Sequence, residues 1–143
     1  MEYEIIRSIR YPTPLSLIHL EMTVHTSDAK TPQSAPLIFE TDLNLHLRSV
    51  DIPTRYGMGY LILLPATNKE GALVVCKRLL AIFDKEFETK EGKSVKFTLQ
   101  IGVASHNGSP TLMKEMLFQA AETSLERSRI KGANTIGEVL AQV

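Results

Sequence analysis

Two short strand-like runs separated by three residues constrain the fold of this chain more than any other feature. The runs are residues 52–56 and 60–64, and Gly57-Met58-Gly59 stands between them. Glycine tolerates the positive φ that tight hairpin turns require. So short a connection can join only antiparallel strands, because a crossover between parallel strands needs a dozen or more residues. The sequence therefore predicts an antiparallel hairpin over residues 52–64.

Helical and strand patterns alternate along the rest of the chain, with apolar residues at helical spacing or in strand-like runs. In chain order the predicted elements are helix 2–10, strand 15–24, helix 37–49, the hairpin, helix 67–87, strand 95–103, helix 109–131 and a short edge strand 135–139. Helices that interleave with strands, one pair of which forms a hairpin, predict an α+β (mixed α/β) fold. We expect a ferredoxin-like, palm-type arrangement, in which helices flank a mainly antiparallel sheet of four or five strands.

Length and composition exclude several classes of protein. The chain has 143 residues, 43% hydrophobic, and a formal net charge of zero. These values predict a single domain over residues 1–143 and no nucleic-acid partner held by bulk charge. The sequence has no apolar run of about 20 residues for a membrane span and no signal-peptide core at its start, so we expect a cytoplasmic protein. Its single cysteine, Cys76, excludes an internal disulfide and a thiolate metal site.

Residues 51–65 resemble the signature hairpin of GGDEF domains, the family of bacterial diguanylate cyclases. Four further blocks agree with that family in order and spacing, namely residues 14–22, 71–83, 100–104 and 121–134. They resemble the family's first strand, the helix after the hairpin, the Ser-Ile-Gly-Val-Ala strand and the closing helix with its tail. The resemblance covers nearly the whole chain and implies the same palm-type fold.

The same resemblance predicts the loss of catalysis. The family condenses two GTP molecules, and each half-site needs two acidic ligands for Mg²⁺, one from the first strand and one from the hairpin. Glu21 stands at the first position, but the hairpin motif around Met58 has no carboxylate, and Mg²⁺ requires oxygen ligands. In the closing helix Arg129 replaces a family lysine and Ala133 a phosphate-contacting arginine. We therefore expect no catalytic residues, no metal, no cofactor and no enzymatic activity.

A second family motif is retained. Arg48-Ser49-Val50-Asp51 matches the Arg-x-x-Asp inhibitory site, which binds cyclic di-GMP, and five residues separate it from Gly57 as in the family. The arginine can pair with a phosphate or a guanine edge, and the aspartate can accept hydrogen bonds from guanine. Arg78 falls where the family often supplies another guanidinium. The prediction is a catalytically inactive GGDEF-like domain that acts as a cyclic di-GMP receptor through Arg48, Asp51 and Arg78.

Other interpretations remain open at this stage. Arg48 to Asp51 also fit an ordinary helix end, and Arg78 a solvated helix position. The chain could instead be a ligand-independent protein-interaction or dimerisation module, with a protein partner or a second copy contacting an exposed Met58. A third alternative is a weak enzyme that uses Glu21 alone, as a cyclase or a nucleotide phosphatase. His19 is expected to be hydrogen-bonded or to face solvent.

Overall fold

A computed structural model of the chain describes residues 13–26, 34–90, 92–106, 114–137 and 140–142. The strands are β1 (Leu15–Thr26), β2 (Ile52–Tyr56), β3 (Gly59–Pro65), β4 (Glu86–Glu88), β5 (Ser94–His106), β6 (Thr135–Ile136) and β7 (Leu140–Gln142). The helices are α1 (Ala35–Leu45), α2 (Lys69–Ile82) and α3 (Lys114–Lys131). No helix among these residues is both long and apolar enough to span a membrane.

The strands form one sheet in the order β2-β3-β1-β5-β4, with antiparallel neighbours throughout. The predicted hairpin is confirmed as β2 and β3. The described sheet has seven strands rather than four or five, because the unpredicted β4 and β7 also pair with β5, along the same edge as β6. The α+β fold class and the mainly antiparallel sheet are confirmed.

Helices cover both faces of the sheet. Helices α1 and α2 pack on one face, where Phe39 stacks on Phe83 with ring centroids 4.3 Å apart. Helix α3 covers the other face through residues that include Leu117 and Ala121. Consecutive residues of a strand point to opposite faces, so β1 sends Leu17 towards α3 and Ile18 towards the α1–α2 side. The central strand is therefore buried from both sides, which explains its nearly continuous apolar run.

Two predicted helix ends differ from the structure. Helix α1 ends at Leu45 rather than at residue 49, because the Asp51 carboxylate accepts the Arg48 backbone N–H and forms a turn there. Helix α2 ends at Ile82, and Phe87 lies instead on β4. Phe83 and Phe87 both contact Phe97. The two side chains are therefore buried together in the structure, as they would be on one helix, although Phe87 lies on a separate strand.

The remaining element boundaries match the sequence patterns closely. The α2 N-cap is Asn68, one residue after the predicted start, and its side chain accepts a 2.9 Å hydrogen bond from the Gly71 N–H. Helix α3 ends at Lys131, as predicted, and is followed by Gly132, whose φ of +113° suits a glycine at a helix end. Part of the predicted edge strand is present as β6. The predicted helix 2–10 and the start of the last helix at Ser109 lie outside the described residues.

Candidate functional site

The Arg48–Asp51 motif forms a closed turn between α1 and β2. The Asp51 carboxylate accepts hydrogen bonds from the Arg48 backbone N–H at 2.8 Å, from its Nε at 3.0 Å and from its Nη2 at 2.7 Å. The Asp51 N–H in turn donates to the Arg48 carbonyl at 3.0 Å. The Asp51 side chain is fully buried, whereas 48% of the Arg48 side chain is exposed. The motif therefore presents the arginine to solvent and keeps the aspartate behind it.

Arg48 also joins this turn to the end of the hairpin. Its Nη2 donates to the Pro65 carbonyl at 2.9 Å and to Thr67 Oγ1 at 2.8 Å. Thr67 was predicted to begin the following helix, but its hydroxyl instead donates to the Pro65 carbonyl. The side-chain hydrogen bonds of Arg48 all use Nε and Nη2 as donors. Nη1 makes no hydrogen bond with the described residues.

Arg78 reaches the same region from α2. It is exposed, and its Nη2 donates to the His46 carbonyl at 2.9 Å. Arg48 and Arg78 line one open pocket of about 320 Å³, together with Asn68 and Gly71 from the start of α2. We call this the Arg48–Arg78 pocket. Two guanidinium groups and a helix N-terminus, which carries partial positive charge, make the pocket suited to an anion.

The structure thus brings together two of the three predicted site residues at one surface. Asp51 contacts Arg48 rather than the pocket. Sequence reasoning missed the contribution of Asn68 and Gly71. The sequence did contain a signal for them: both lie at the start of the helix that follows the strand ending at Pro65, and backbone N–H groups at a helix start can contact an anion.

At the opposite end of β3, Glu21 is held by an ion pair. Its carboxylate accepts hydrogen bonds from Arg129 Nε at 2.9 Å and Nη2 at 2.6 Å, and Arg129 also contacts the Glu126 carboxylate. The Arg129 guanidinium lowers the pKa of Glu21 despite the opposing effect of partial burial. Glu21 is therefore an ionised carboxylate whose two oxygens both contact one arginine.

The residues at this end do not fit the divalent metal that the sequence resemblance implies. The hairpin turn is Gly57-Met58, with Gly57 at φ +56°, and the Met22 N–H donates to the Met58 carbonyl at 3.3 Å. No group of three or more His, Cys, Asp or Glu side chains among the described residues is arranged to hold a metal ion. Met58 in the turn and Met22 on the adjacent strand β1 offer sulfur, which Mg²⁺ does not favour.

His19 departs from its expected environment. It is 5% exposed on the α3 side of β1, against Tyr56 and Phe118, with ring centroids 5.4 and 6.0 Å away. Its Nδ1 has no hydrogen-bond partner among the described residues. Burial lowers the pKa of His19 and outweighs the opposing effect of the nearby Glu21 and Glu122 carboxylates. The prediction of a hydrogen-bonded or solvent-facing histidine is therefore wrong.

Comparison with known proteins gives matches only at the level of structure. No known protein family and no curated protein matches the sequence. Among solved structures, the fold is similar to diguanylate cyclase SiaD of Pseudomonas aeruginosa, solved in complex with its activator SiaC, with 19% identity and a TM-score of 0.78. The match covers 99% of this chain and 55% of the SiaD chain, so this chain spans about half the length of that protein.

Two further structures are individual GGDEF domains. The GGDEF domain of DgcB from Caulobacter crescentus, in complex with c-di-GMP, has a TM-score of 0.78 at 14% identity, covering 97% of this chain and 84% of that one. The FimX GGDEF domain from Pseudomonas aeruginosa has a TM-score of 0.72 at 17% identity, with coverage of 99% and 88%. The chain therefore has the fold of GGDEF domains, as the resemblance of its sequence implied.

Proposed function

We propose that this chain is a regulatory GGDEF-like module that binds cyclic di-GMP in the Arg48–Arg78 pocket and does not synthesise it. The observation that carries the proposal is the convergence of two guanidinium groups on one open pocket. Cyclic di-GMP is a dianion with two guanine bases. An arginine can pair with its phosphates, donate to a guanine edge and stack on the base plane.

Asp51 contributes to this site by positioning Arg48. Its buried carboxylate, together with the Pro65 carbonyl and Thr67, holds the guanidinium in one orientation. A side chain that is already ordered loses less conformational entropy when a ligand binds. The aspartate of the motif thus supports affinity without contacting the ligand directly.

The similarity to the DgcB domain supports the choice of ligand. That domain was solved in complex with c-di-GMP, and it has the same fold as this chain. The Arg48–Arg78 pocket has a volume of about 320 Å³ and is open to solvent. A ligand larger than the pocket can therefore extend beyond it.

Binding can be tested by calorimetric titration of the protein with cyclic di-GMP. Arg78→Ala removes one guanidinium that makes a single hydrogen bond to the His46 carbonyl, so it should weaken binding at least about tenfold without unfolding the protein. Arg48→Lys keeps a charge beside buried Asp51 but loses the planar group, and it should also weaken binding. Arg55→Ala, an exposed arginine on the hairpin, is the matched control and should bind normally. Absence of heat at high micromolar ligand, or equal affinity in Arg78→Ala, would contradict the proposal.

The lack of synthesis rests on the hairpin end of the molecule. Phosphoryl transfer needs metal ions that bridge the phosphates and offset the developing charge. Here the hairpin supplies no carboxylate, and Glu21 is bound by Arg129. Incubation with GTP and Mg²⁺, followed by chromatography, should yield no cyclic product. Turnover that disappears in Glu21→Ala would show that the protein is an enzyme after all.

A ligand-independent interaction module is the second candidate. Among the described residues, three large apolar side chains are more than 70% exposed, namely Met58 at 76%, Leu45 at 72% and Ile130 at 85%. Sedimentation of the protein with and without cyclic di-GMP separates the candidates. A stable complex or dimer that the nucleotide does not affect, together with calorimetric titrations that show no heat, would favour this second function.

A further inference from the structure

Two buried serines lie behind the Arg48–Arg78 pocket, on the face of the sheet that α1 and α2 cover. Ser16 on β1 and Ser105 on β5 are directly paired across the two strands, and both are buried. The next residue of β1 on the same face, Ile18, belongs to the hydrophobic core. A buried hydroxyl in such surroundings destabilises the fold unless it forms hydrogen bonds, and the bonds of this pair lead towards the pocket.

The Ser16 hydroxyl is bound to the segment that follows β3. Its Oγ donates to the Thr67 carbonyl at 2.7 Å, with the Asn68 carbonyl farther away at 3.4 Å. The Ser105 Oγ lies 2.8 Å from the Ser16 Oγ and must donate to it, because Ser16 has only one proton to give. The Thr67 N–H in turn donates to the Pro14 carbonyl at 3.2 Å. The backbone of Thr67 is therefore held at its N–H and at its carbonyl by residues at the start of β1.

The residue before Thr67 has an unfavourable backbone conformation. Ala66 has φ +50°, in the left-handed region that residues other than glycine rarely adopt. Such a conformation persists only where the surrounding structure fixes it. Before Ala66, β3 pairs with β1 as far as Pro65. After it, the hydrogen bonds to Ser16 and Pro14 hold the chain, so the serine pair helps to maintain the turn at Ala66.

The turn at Ala66 sets the orientation of Arg48. The Nη2 of Arg48 donates to the Pro65 carbonyl and to Thr67 Oγ1, and these two acceptors lie on either side of Ala66 in the chain. A different φ at Ala66 would rotate one acceptor away from the other. The guanidinium can therefore keep both bonds only while the left-handed turn is maintained.

We propose that Ser16 and Ser105 are positioning residues of the Arg48–Arg78 pocket. Among the described residues that line the pocket neither serine appears, so they act on the ligand only through the turn at Ala66. An arginine that is ordered before a ligand arrives loses less conformational entropy on binding. The inference rests on the proposed function, because the affinity that it assigns to the serines is affinity for the ligand proposed there.

Nitrogen-15 NMR of the arginine side chains in the ligand-free protein tests the positioning directly. The Arg48 signals, assigned by their loss in Arg48→Lys, should show guanidinium protons that exchange slowly with water, because Nη2 donates to three acceptors. Ser16→Ala removes the hydroxyl that holds Thr67 and should make this exchange several-fold faster. Ser124→Ala is the matched control, since Ser124 is equally buried and its Oγ accepts a hydrogen bond from the Val103 N–H under α3. It should leave the exchange unchanged.

A second variant keeps the test decisive if Ser16→Ala does not fold. Ser105→Ala leaves the bond between Ser16 and Thr67 in place and removes only the donor behind it, so it should accelerate the exchange in the same direction but less. Exchange that is equally fast in the parent protein and in the folded serine variants would overturn the proposal.

Calorimetric titration with cyclic di-GMP measures the consequence for binding. Ser16→Ala should raise Kd roughly two- to tenfold, the range expected when the ligand must itself order one arginine, and Ser124→Ala should bind as the parent does. Ala66→Gly in the Ser16→Ala background should recover most of the lost affinity, because glycine adopts a positive φ without strain. Equal Kd values for Ser16→Ala and the parent, or no recovery with Ala66→Gly, would contradict the role of the turn. A parent protein that binds no cyclic di-GMP contradicts the proposed function instead, and the exchange measurement then still decides whether the serines orient Arg48.

Discussion

At the scale of single residues, the Arg48–Asp51 pair has a structural role whether or not a ligand binds. The buried Asp51 carboxylate accepts hydrogen bonds from three donor groups of Arg48, one of them the backbone N–H. Asp51→Ala would leave these donors without their partner, at a cost of about 1–3 kcal/mol of unfolding free energy. Urea unfolding should measure that loss, with Asp84→Ala, at an exposed position just after α2, as the control. A loss below about 0.5 kcal/mol, in the range of ordinary surface substitutions, would contradict the structural role.

His19 makes stability depend on pH. Burial lowers its pKa below 6.5 in the folded protein, so the unfolded chain binds the proton more readily. Stability is therefore fully present above about pH 6.5 and decreases as the pH falls towards the lower folded pKa. His19→Leu should flatten this dependence between about pH 7.5 and pH 5, as measured by urea unfolding. His106, whose pKa burial also lowers, accounts for a remaining slope. An unchanged slope in His19→Leu would show that His19 does not carry the effect.

The residue scale also shows where sequence reasoning stops. The spacing of Arg48 and Asp51 was visible in the sequence, but a spacing does not reveal which side chain faces inward. The orientation of Arg48 depends on Pro65 and Thr67, which approach only when the hairpin folds back on the turn. His19 was misjudged for the same reason, because its surroundings come from β2 and α3.

At the scale of elements, the contact between α3 and β5 depends on one glycine. A Cβ at Gly102 would lie 2.2 Å from the Ala121 carbonyl oxygen and 2.3 Å from the Leu125 nitrogen, both of them helix backbone atoms. Gly102→Ala should therefore destabilise the protein by more than about 2 kcal/mol, since neither backbone can yield without displacing the helix. Chemical unfolding measures the effect.

Gly71→Ala is the matched control for this change. In α2 the nearest atom to an added Cβ is the Thr67 methyl group at 3.0 Å, which belongs to a side chain, and alanine favours a helix. That variant should lie within about 1 kcal/mol of the parent. Similar losses in both glycine variants would mean that close packing of α3 on β5 is not what Gly102 provides.

Most elements followed from local patterns, and the exceptions have a common cause. The hairpin, β1, β5 and the end of α3 were each predicted from glycine placement or apolar periodicity. Strand β4 was missed because Phe87 continues the helical stripe of α2. Its three residues become a strand only by pairing with residues 94–96 of β5, a contact that no local pattern contains.

At the scale of the whole molecule, the hairpin turn and the Arg48–Arg78 pocket lie at opposite ends of strand β3. The Gly57-Met58 turn precedes the strand, and the Pro65 carbonyl at its other end accepts a hydrogen bond from Arg48. Strand β3 pairs with β1 over seven residues, so both ends belong to the same rigid sheet. This arrangement places the Arg48–Asp51 turn and the hairpin turn at separate ends of one sheet. Under the proposed function, the ligand pocket is therefore structurally separate from the hairpin turn.

Ligand binding should consequently stabilise the whole fold. Cyclic di-GMP that binds only the folded state, at a concentration about a hundredfold above Kd, adds roughly 2.7 kcal/mol of stability. For a chain of 143 residues this corresponds to a Tm increase of roughly 5–10 °C in a thermal unfolding experiment. Arg78→Ala should lose most of this increase at the same ligand concentration, because its Kd is raised, while Arg55→Ala should keep it. GTP with Mg²⁺ is the specificity control, and it should give a much smaller increase because it carries one guanine base rather than two and its triphosphate is already bound to Mg²⁺. An unchanged Tm with cyclic di-GMP, or an equal increase in Arg78→Ala, would contradict binding at the Arg48–Arg78 pocket.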